Sequence, residues 1–104
     1  MKPDSLRGHL DLLLLATLEK GPAHGYALIE RLRSASGGAF DYPEGTIYPA
    51  LHKLESEGLV SGRWAEAGRR RRRVYSLTRR GRVAARRRAA AWERFADAVR
   101  AVIA

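Results

Sequence analysis

The sequence predicts a mainly α fold with a small two-stranded β-wing and a long C-terminal helix. Three observations predict it. Apolar residues recur at helical spacing on both sides of residues 59–77. Inside that window the pattern shifts to short runs rich in β-branched and aromatic residues around a basic tip. The final segment then keeps a helical repeat for about 25 residues, which at 1.5 Å each is nearly 40 Å. That is longer than the rest of a 104-residue chain can cover. A chain of this length is one domain with a modest core, and association with a second copy is a natural way to bury more apolar surface.

Helix one is expected over residues 5–19, capped by Asp4 or Ser5 and stopped by Gly21 and Pro22. Leu6, Leu10, Leu13 and Leu14 form one stripe, and Leu12, Leu15 and Leu18 widen it beyond a single contact surface. A helix apolar on most sides is buried on most sides, so a second subunit is expected to cover part of it. Helix two is expected over residues 23–34, with Leu28, Ile29 and Leu32 facing the core and Gly25 permitting close approach. Ser36, Gly37 and Gly38 end it, and Phe40 and Tyr42 anchor the connection that follows. Helix three is expected over residues 44–57, with Gly58 as its C-terminal cap. Ile47, Ala50, Leu51 and Leu54 share one face, while Thr46, Tyr48, Pro49, His52 and Lys53 point elsewhere. Pro49 is read as a first-turn residue, where a missing N–H is tolerated. Residues 59–64 and 73–77 read as strands joined by a flexible basic tip that holds Arg69, Arg70, Arg71 and Arg72. Trp64 reads as an anchor in the wing or the core. Thr78 caps the last helix.

The formal net charge is +9, with arginine outnumbering lysine 17 to 3. A field of that sign favours an anionic partner, nucleic acid before an acidic membrane. GC-rich coding alone also raises arginine usage, so position carries more weight than the total, and the charge is concentrated over residues 69–88. The chain has no cysteine, which excludes disulfides and thiolate metal sites and fits a reducing compartment. No signal-like run opens it, and its longest apolar block, residues 12–16, is too short for a membrane span. A cytoplasmic location is therefore expected. His9, His24 and His52 lack metal-ligand spacing, and His24 reads as a structural residue of helix two. No cofactor is expected. No nucleophile–base grouping, carboxylate pair or phosphate-binding loop stands out, which argues against an enzyme.

Helix, helix-turn-helix and two-stranded wing is the winged-helix order. Within it, Gly21-Pro22-Ala23-His24-Gly25-Tyr26 resembles the entry to helix two of PadR-type transcriptional regulators. Gly45-Thr46-Ile47-Tyr48-Pro49-Ala50-Leu51, followed by Leu54-Glu55-Ser56-Glu57-Gly58-Leu59, is similar to that family's recognition segment. Arg72-Arg73-Val74-Tyr75-Ser76-Leu77-Thr78 with Gly81 resembles its wing exit. The single C-terminal helix with Trp92 resembles the short subgroup. The resemblance implies a homodimeric DNA-binding repressor, with some members of the subgroup sensing flat aromatic compounds between subunits. It also implies a DNA contact at Tyr48. Residues 1–77 would be the DNA-binding unit and residues 78–104 the dimerisation helix, packed as one compact unit with helix one.

The residues themselves suggest how this would work. A helix in the major groove offers its N-terminal half to base edges, here Thr46, Tyr48, Pro49, His52 and Lys53, with Lys53 directed to the backbone. Wing arginines suit phosphates and a narrow minor groove. Ala85, Ala89, Trp92, Ala96, Val99 and Ile103 advance as a heptad-like seam flanked by Phe95 and Val102. With Leu6, Leu10 and Leu13 of helix one, this seam is the expected dimer surface. Paired recognition helices would then read a palindrome-like duplex operator at about 34 Å spacing. The resemblance to the short subgroup implies Trp92, Phe95 and Ala89 as effector-binding residues, although filling the interface is the alternative role for Trp92. The rival reading is an architectural DNA- or RNA-binding basic protein with little sequence preference. A winged helix that binds only protein is a further rival, and the arginine-filled wing argues against it.

Overall fold

A computed structural model describes residues 3–104, with side chains for residues 9–66 and 68–104. The elements are α1 (Pro3–Glu19), β1 (Ala23–His24), α2 (Gly25–Ala35), α3 (Glu44–Ser56), β2 (Val60–Ala67), β3 (Arg70–Leu77) and α4 (Arg79–Ile103). The predicted order of helices and wing is present. Helix one starts at Pro3 instead of residue 5, and the side chains of Asp4, Ser5 and Leu6 lie outside the described residues.

Three local differences have physical causes. First, the sheet has three strands in the order β1-β3-β2, all antiparallel. Residues 23 and 24, expected to open helix two, pair instead with Tyr75 and Val74. His24 is extended and caps α2, its Nδ1 accepting from the Ala27 amide at 3.2 Å, so the helix starts only at Gly25. Second, the wing strands are longer than expected. Ala67 pairs with Arg70 across the two-residue turn Gly68-Arg69, and Gly68 takes φ +67°. Arg70, Arg71 and Arg72 are therefore strand residues, not a flexible tip, and β3 runs on through Arg73 as expected. Third, Pro49 is the sixth residue of α3, beyond the first turn. It cannot donate to the Gly45 carbonyl, and the exposure of both residues leaves that carbonyl to water.

The core sits where all four helices meet the base of the sheet. Leu14, Leu15, Leu28, Ile47, Leu51, Leu54, Val60 and Tyr75 are fully buried. Each large apolar side chain so placed contributes about 1.5–3 kcal/mol. Leu10 and Ala85 belong to this same core, in the contact between α1 and α4. Beyond Arg88, α4 leaves the body, and most of its remaining side chains are exposed.

The junction of α3, the wing and α4 is tightly specified. Gly58 (φ +77°) closes α3 in a Schellman motif, with Leu59 N donating to Leu54 O and Gly58 N to Glu55 O, both at 3.0 Å. Thr78 Oγ1 donates to the Gly58 carbonyl at 2.7 Å and accepts from Gly81 N at 3.0 Å, capping α4. Gly81 lies so close that a Cβ there would collide with the Leu59 carbonyl.

Gly81→Ala should therefore lower stability by about 2–3 kcal/mol. Gly45→Ala, in open helical space, should raise it by about 0.5 kcal/mol. Urea midpoints of the two variants should move in opposite directions, and a neutral Gly81→Ala would contradict the packing. The His24 cap makes a pH prediction. Burial, then Arg72 and Arg31, hold its imidazole below the ordinary value. The folded state thus binds fewer protons than the unfolded one, and stability rises with pH. The His24 contribution is present above about pH 6.5 and is lost as pH falls below it. Arg72 on β3 and Arg31 on α2 are the charges named, with Glu44, Tyr26 and Tyr48 lining the same cleft. Melting temperatures at pH 7.5 and 5.5 should differ more for the native chain than for His24→Asn, which keeps a capping acceptor.

Candidate nucleic-acid interface

Helix three is locked in place on three sides. Beneath it, Ile47, Leu51 and Leu54 are fully buried. Towards the wing, Glu55 Oε2 accepts from Arg73 Nη2 at 2.9 Å and from the Gly62 amide at 3.0 Å. Towards α2, the Tyr48 ring lies against Gly25, where a Cβ would come within 2.6 Å of it. Gly25 is thus required to be small by Tyr48, which fits the close approach expected of it.

The expected reading residues divide around this helix. Thr46, Pro49, His52 and Lys53 are exposed, whereas Tyr48 is half-buried. Thr46, Pro49 and Lys53 border a groove shared with Leu10 and Asp11 of α1. Lys53 is partly committed there, with its Nζ 3.1 Å from Asp11 Oδ2. The backbone contact expected of it would therefore compete with an ion pair. Tyr48 borders a second cleft, of about 550 Å³, between α3 and the wing. His24, Tyr26, Glu44, Trp64, Arg70, Arg71, Arg72 and Arg73 complete its lining. Glu44 is the single acidic residue among these.

The wing arginines differ in their freedom. Strand alternation puts Arg71 and Arg73 on one face, and both guanidinium carbons lie over the Trp64 ring, at 5.1 and 5.5 Å. Such contacts contribute about 0.5–1 kcal/mol each at exposed sites. Arg72 faces the other way, with Nη1 at 3.0 Å from His24 Nε2. Arg69 sits in the turn and Arg70 at the start of β3, both exposed. Trp64, 56% exposed, is therefore a wing platform and not a core anchor.

The expected dimer residues also separate. Leu10 and Ala85 are consumed inside the chain, and Leu13 packs partly against the core. Past Arg88 the situation changes. Trp92, Phe95, Val99 and Ile103 remain exposed, Ala89 is exposed and Ala96 half-buried. Trp92 meets His9 edge-on at 5.4 Å and Phe95 at 5.7 Å, forming a small aromatic cluster at the root of this face.

Sequence reasoning missed two functional neighbours, His24 and Trp64. Neither has a local sequence cue for its contact. The pairing of residue 24 with Val74 brings His24 beside Arg72, and the pairing of Trp64 with Arg73 makes the platform. Among the described residues no group of His, Asp and Glu could hold a metal ion, and no helix is long and apolar enough to cross a membrane.

Comparison with known proteins agrees with this architecture. The transcriptional regulator YqjI of Escherichia coli (strain K12) is 33% identical over 63 residues, which are 61% of this chain and 30% of that protein. The chain thus spans less than a third of that relative. A PadR family transcriptional regulator from Eggerthella lenta superposes with a TM-score of 0.78 at 33% identity, covering 95% of this chain and 86% of that one. Bacillus subtilis PadR, solved in complex with operator DNA, superposes with a TM-score of 0.68 at 28% identity over 74% of this chain and 44% of its own. Residues 14–87 match the transcriptional regulator PadR-like family, and the chain belongs to that family.

Proposed function

We propose that the chain is a sequence-specific DNA-binding regulator that acts as a homodimeric repressor. One observation carries the DNA reading. The first turns of α3 and the arginine-bearing strand of the wing border one cleft that contains four arginines and a single acid. A recognition helix beside a cationic ribbon divides the work as duplex binding requires, with the arginines on phosphates and the helix on base edges. The operator complex of Bacillus subtilis PadR supports the same reading. Gly45, Pro49 and His52 share one exposed face of α3 at i, i+4 and i+7, and Thr46 and Tyr48 flank it. Exposed His52 on that face, with Thr46 and Tyr48 beside it, favours sequence preference over the architectural alternative, which would need only the charge.

The dimer reading rests on the far half of α4. Trp92, Phe95, Val99, Val102 and Ile103 leave a row of apolar side chains uncovered on one helix, and a helix with such a stripe stands to gain from a second copy. Leu10 and Ala85 take no part in this surface, because both are already buried within the chain. A planar aromatic effector would stack between Trp92 and its symmetry mate, with Phe95 and Ala89 beside it. Binding there would alter the spacing of the two recognition helices and release the operator.

Three measurements test these readings. Arg69→Ala with Arg70→Ala should flatten the dependence of log affinity on log salt by about 0.9 for each phosphate that is no longer neutralised. An unchanged slope would remove the wing from the interface. Phe95→Asp with Val99→Asp should convert the species seen by sedimentation from dimer to monomer while the helical signal persists. A native chain that already sediments as a monomer would overturn the dimer. In a Trp64→Phe background, Trp92 fluorescence should be quenched by planar aromatic compounds, and an indifferent signal would remove the effector site.

A further inference from the structure

The His24–Arg72 contact contains an unresolved conflict of hydrogen-bond donors. A neutral imidazole has one N–H and one acceptor nitrogen. Here both ring nitrogens face donors: the Ala27 amide at Nδ1, 3.2 Å away, and the Arg72 guanidinium at Nε2, 3.0 Å away. Arginine does not give up its proton. Either tautomer therefore satisfies one neighbour and turns an N–H against the other, and protonation makes both contacts worse.

The cap decides which tautomer prevails. Ala27 is the third residue of α2, and its half-buried amide has no carbonyl within the helix to bond. The guanidinium can turn towards solvent or an anion. The tautomer with a free Nδ1 lone pair therefore holds the cap, and the Nε2–H stands beside the Arg72 N–H groups. Two donors that cannot serve each other can both serve one oxygen anion placed between them. They stand in the cleft that Tyr48 and Arg70 also border.

We propose that His24 and Arg72 together form a seat for one phosphodiester of the duplex, the imidazole acting as a neutral donor and the guanidinium as a charged one. The proposal rests on the reading of the α3–wing cleft as the DNA-binding face and adds to it a residue from the start of α2. The seat would fix the register of the chain on the backbone, since His24 is rigidly held by its cap. It would also join the N-terminus of α2 to the wing through one bound group, so that both elements are set when duplex is engaged.

The test uses the whole chain and a duplex of about 25 base pairs, long enough for two half-sites one helical turn apart, at low salt. His24→Asn keeps a capping acceptor but lacks the reach to Arg72. Arg72→Gln removes the charged partner. Each should weaken duplex binding about five- to tenfold, and the double variant should lose little more than the worse single one, because both serve the same phosphate. In nitrogen-15 spectra the His24 ring should show the Nε2–H tautomer in the free chain, and its Nε2 signal should move when duplex is added. Equal concentrations of inorganic phosphate should move it far less, and an equal shift would mark a free-anion site and overturn the assignment. If His24→Asn and Arg72→Gln bind within about twofold of the native chain while Arg69→Ala with Arg70→Ala loses affinity, the seat fails and the DNA reading stands. A native chain that does not bind duplex overturns both.

Discussion

A single carboxylate orients the helices of this molecule. Asp11 is 5% exposed, and its Oδ2 lies 3.1 Å from Lys53 Nζ of α3 and 3.6 Å from Arg88 Nη1 of α4. A buried charge is tolerated only with partners. The two cations are partly solvated, so the net gain in stability is modest. The geometric consequence is larger. Helix three and helix four must each present a cation to the same oxygen, and α1 fixes where that oxygen is. Helix three and the helix with the uncovered apolar stripe are therefore held by a shared ion. Lys53 and Arg88 compete for it, and a shift of α4 that withdrew Arg88 would strengthen the hold on Lys53. The connection is a physical contact of three groups, independent of any remote coupling through the core.

Glu55 plays the corresponding part on the other side of α3. By holding both Arg73 and the Gly62 amide, it joins the helix to the base of the wing. The chain has 11 acids against 20 cations, and Asp11 and Glu55 are spent where helices and sheet need joining. Among the described residues, Arg69, Arg70, Arg71 and Arg72 of the wing pair with no acid. Arg73 serves the scaffold, while Arg69 and Arg70 remain unneutralised by it. The Tyr48 ring completes the frame by packing against Gly25, where a Cβ would push it aside.

Much of this was legible in the chain. The periodicities of Leu10 to Leu18 and of Ile47, Leu51 and Leu54 marked the helices, and Gly58 and Thr78 marked two boundaries that hydrogen bonds bear out. Those signals are local, carried by spacing or by one capping side chain. What escaped was set by pairing between distant segments. Residues 23 and 24 have no strand signature of their own and extend only because β3 offers an unpaired edge. Arg70, Arg71 and Arg72 read as part of a flexible tip because a run of like charges carries no local strand signal. Only Gly68 adopts the positive φ that the turn needs, so the strands continue almost to it. Lys53 read only as a contact to the nucleic-acid backbone because its partner Asp11 lies 42 residues away. Leu10 and Ala85 read as dimer residues because a stripe records only that a face is apolar, and here α1 and α4 cover each other.

Charge repulsion within the wing is the remaining constraint. Four consecutive arginines on a single strand repel one another, with Cα atoms about 3.4 Å apart along the chain axis. The fold spreads this load by giving each residue a different surrounding. Arg71 and Arg73 share the face of Trp64, Arg73 adds Glu55, Arg72 turns to His24, and Arg70 extends into solvent. Only the Glu55 contact neutralises charge. The others position it, and so the strand retains most of its repulsion when alone. A polyanion laid along the cleft would screen that repulsion. Ordering the arginines in advance on an aromatic platform also lowers the side-chain entropy lost in that step. The free-state arrangement therefore favours a phosphate backbone over scattered small anions, because only a chain of charges relieves several arginines at once.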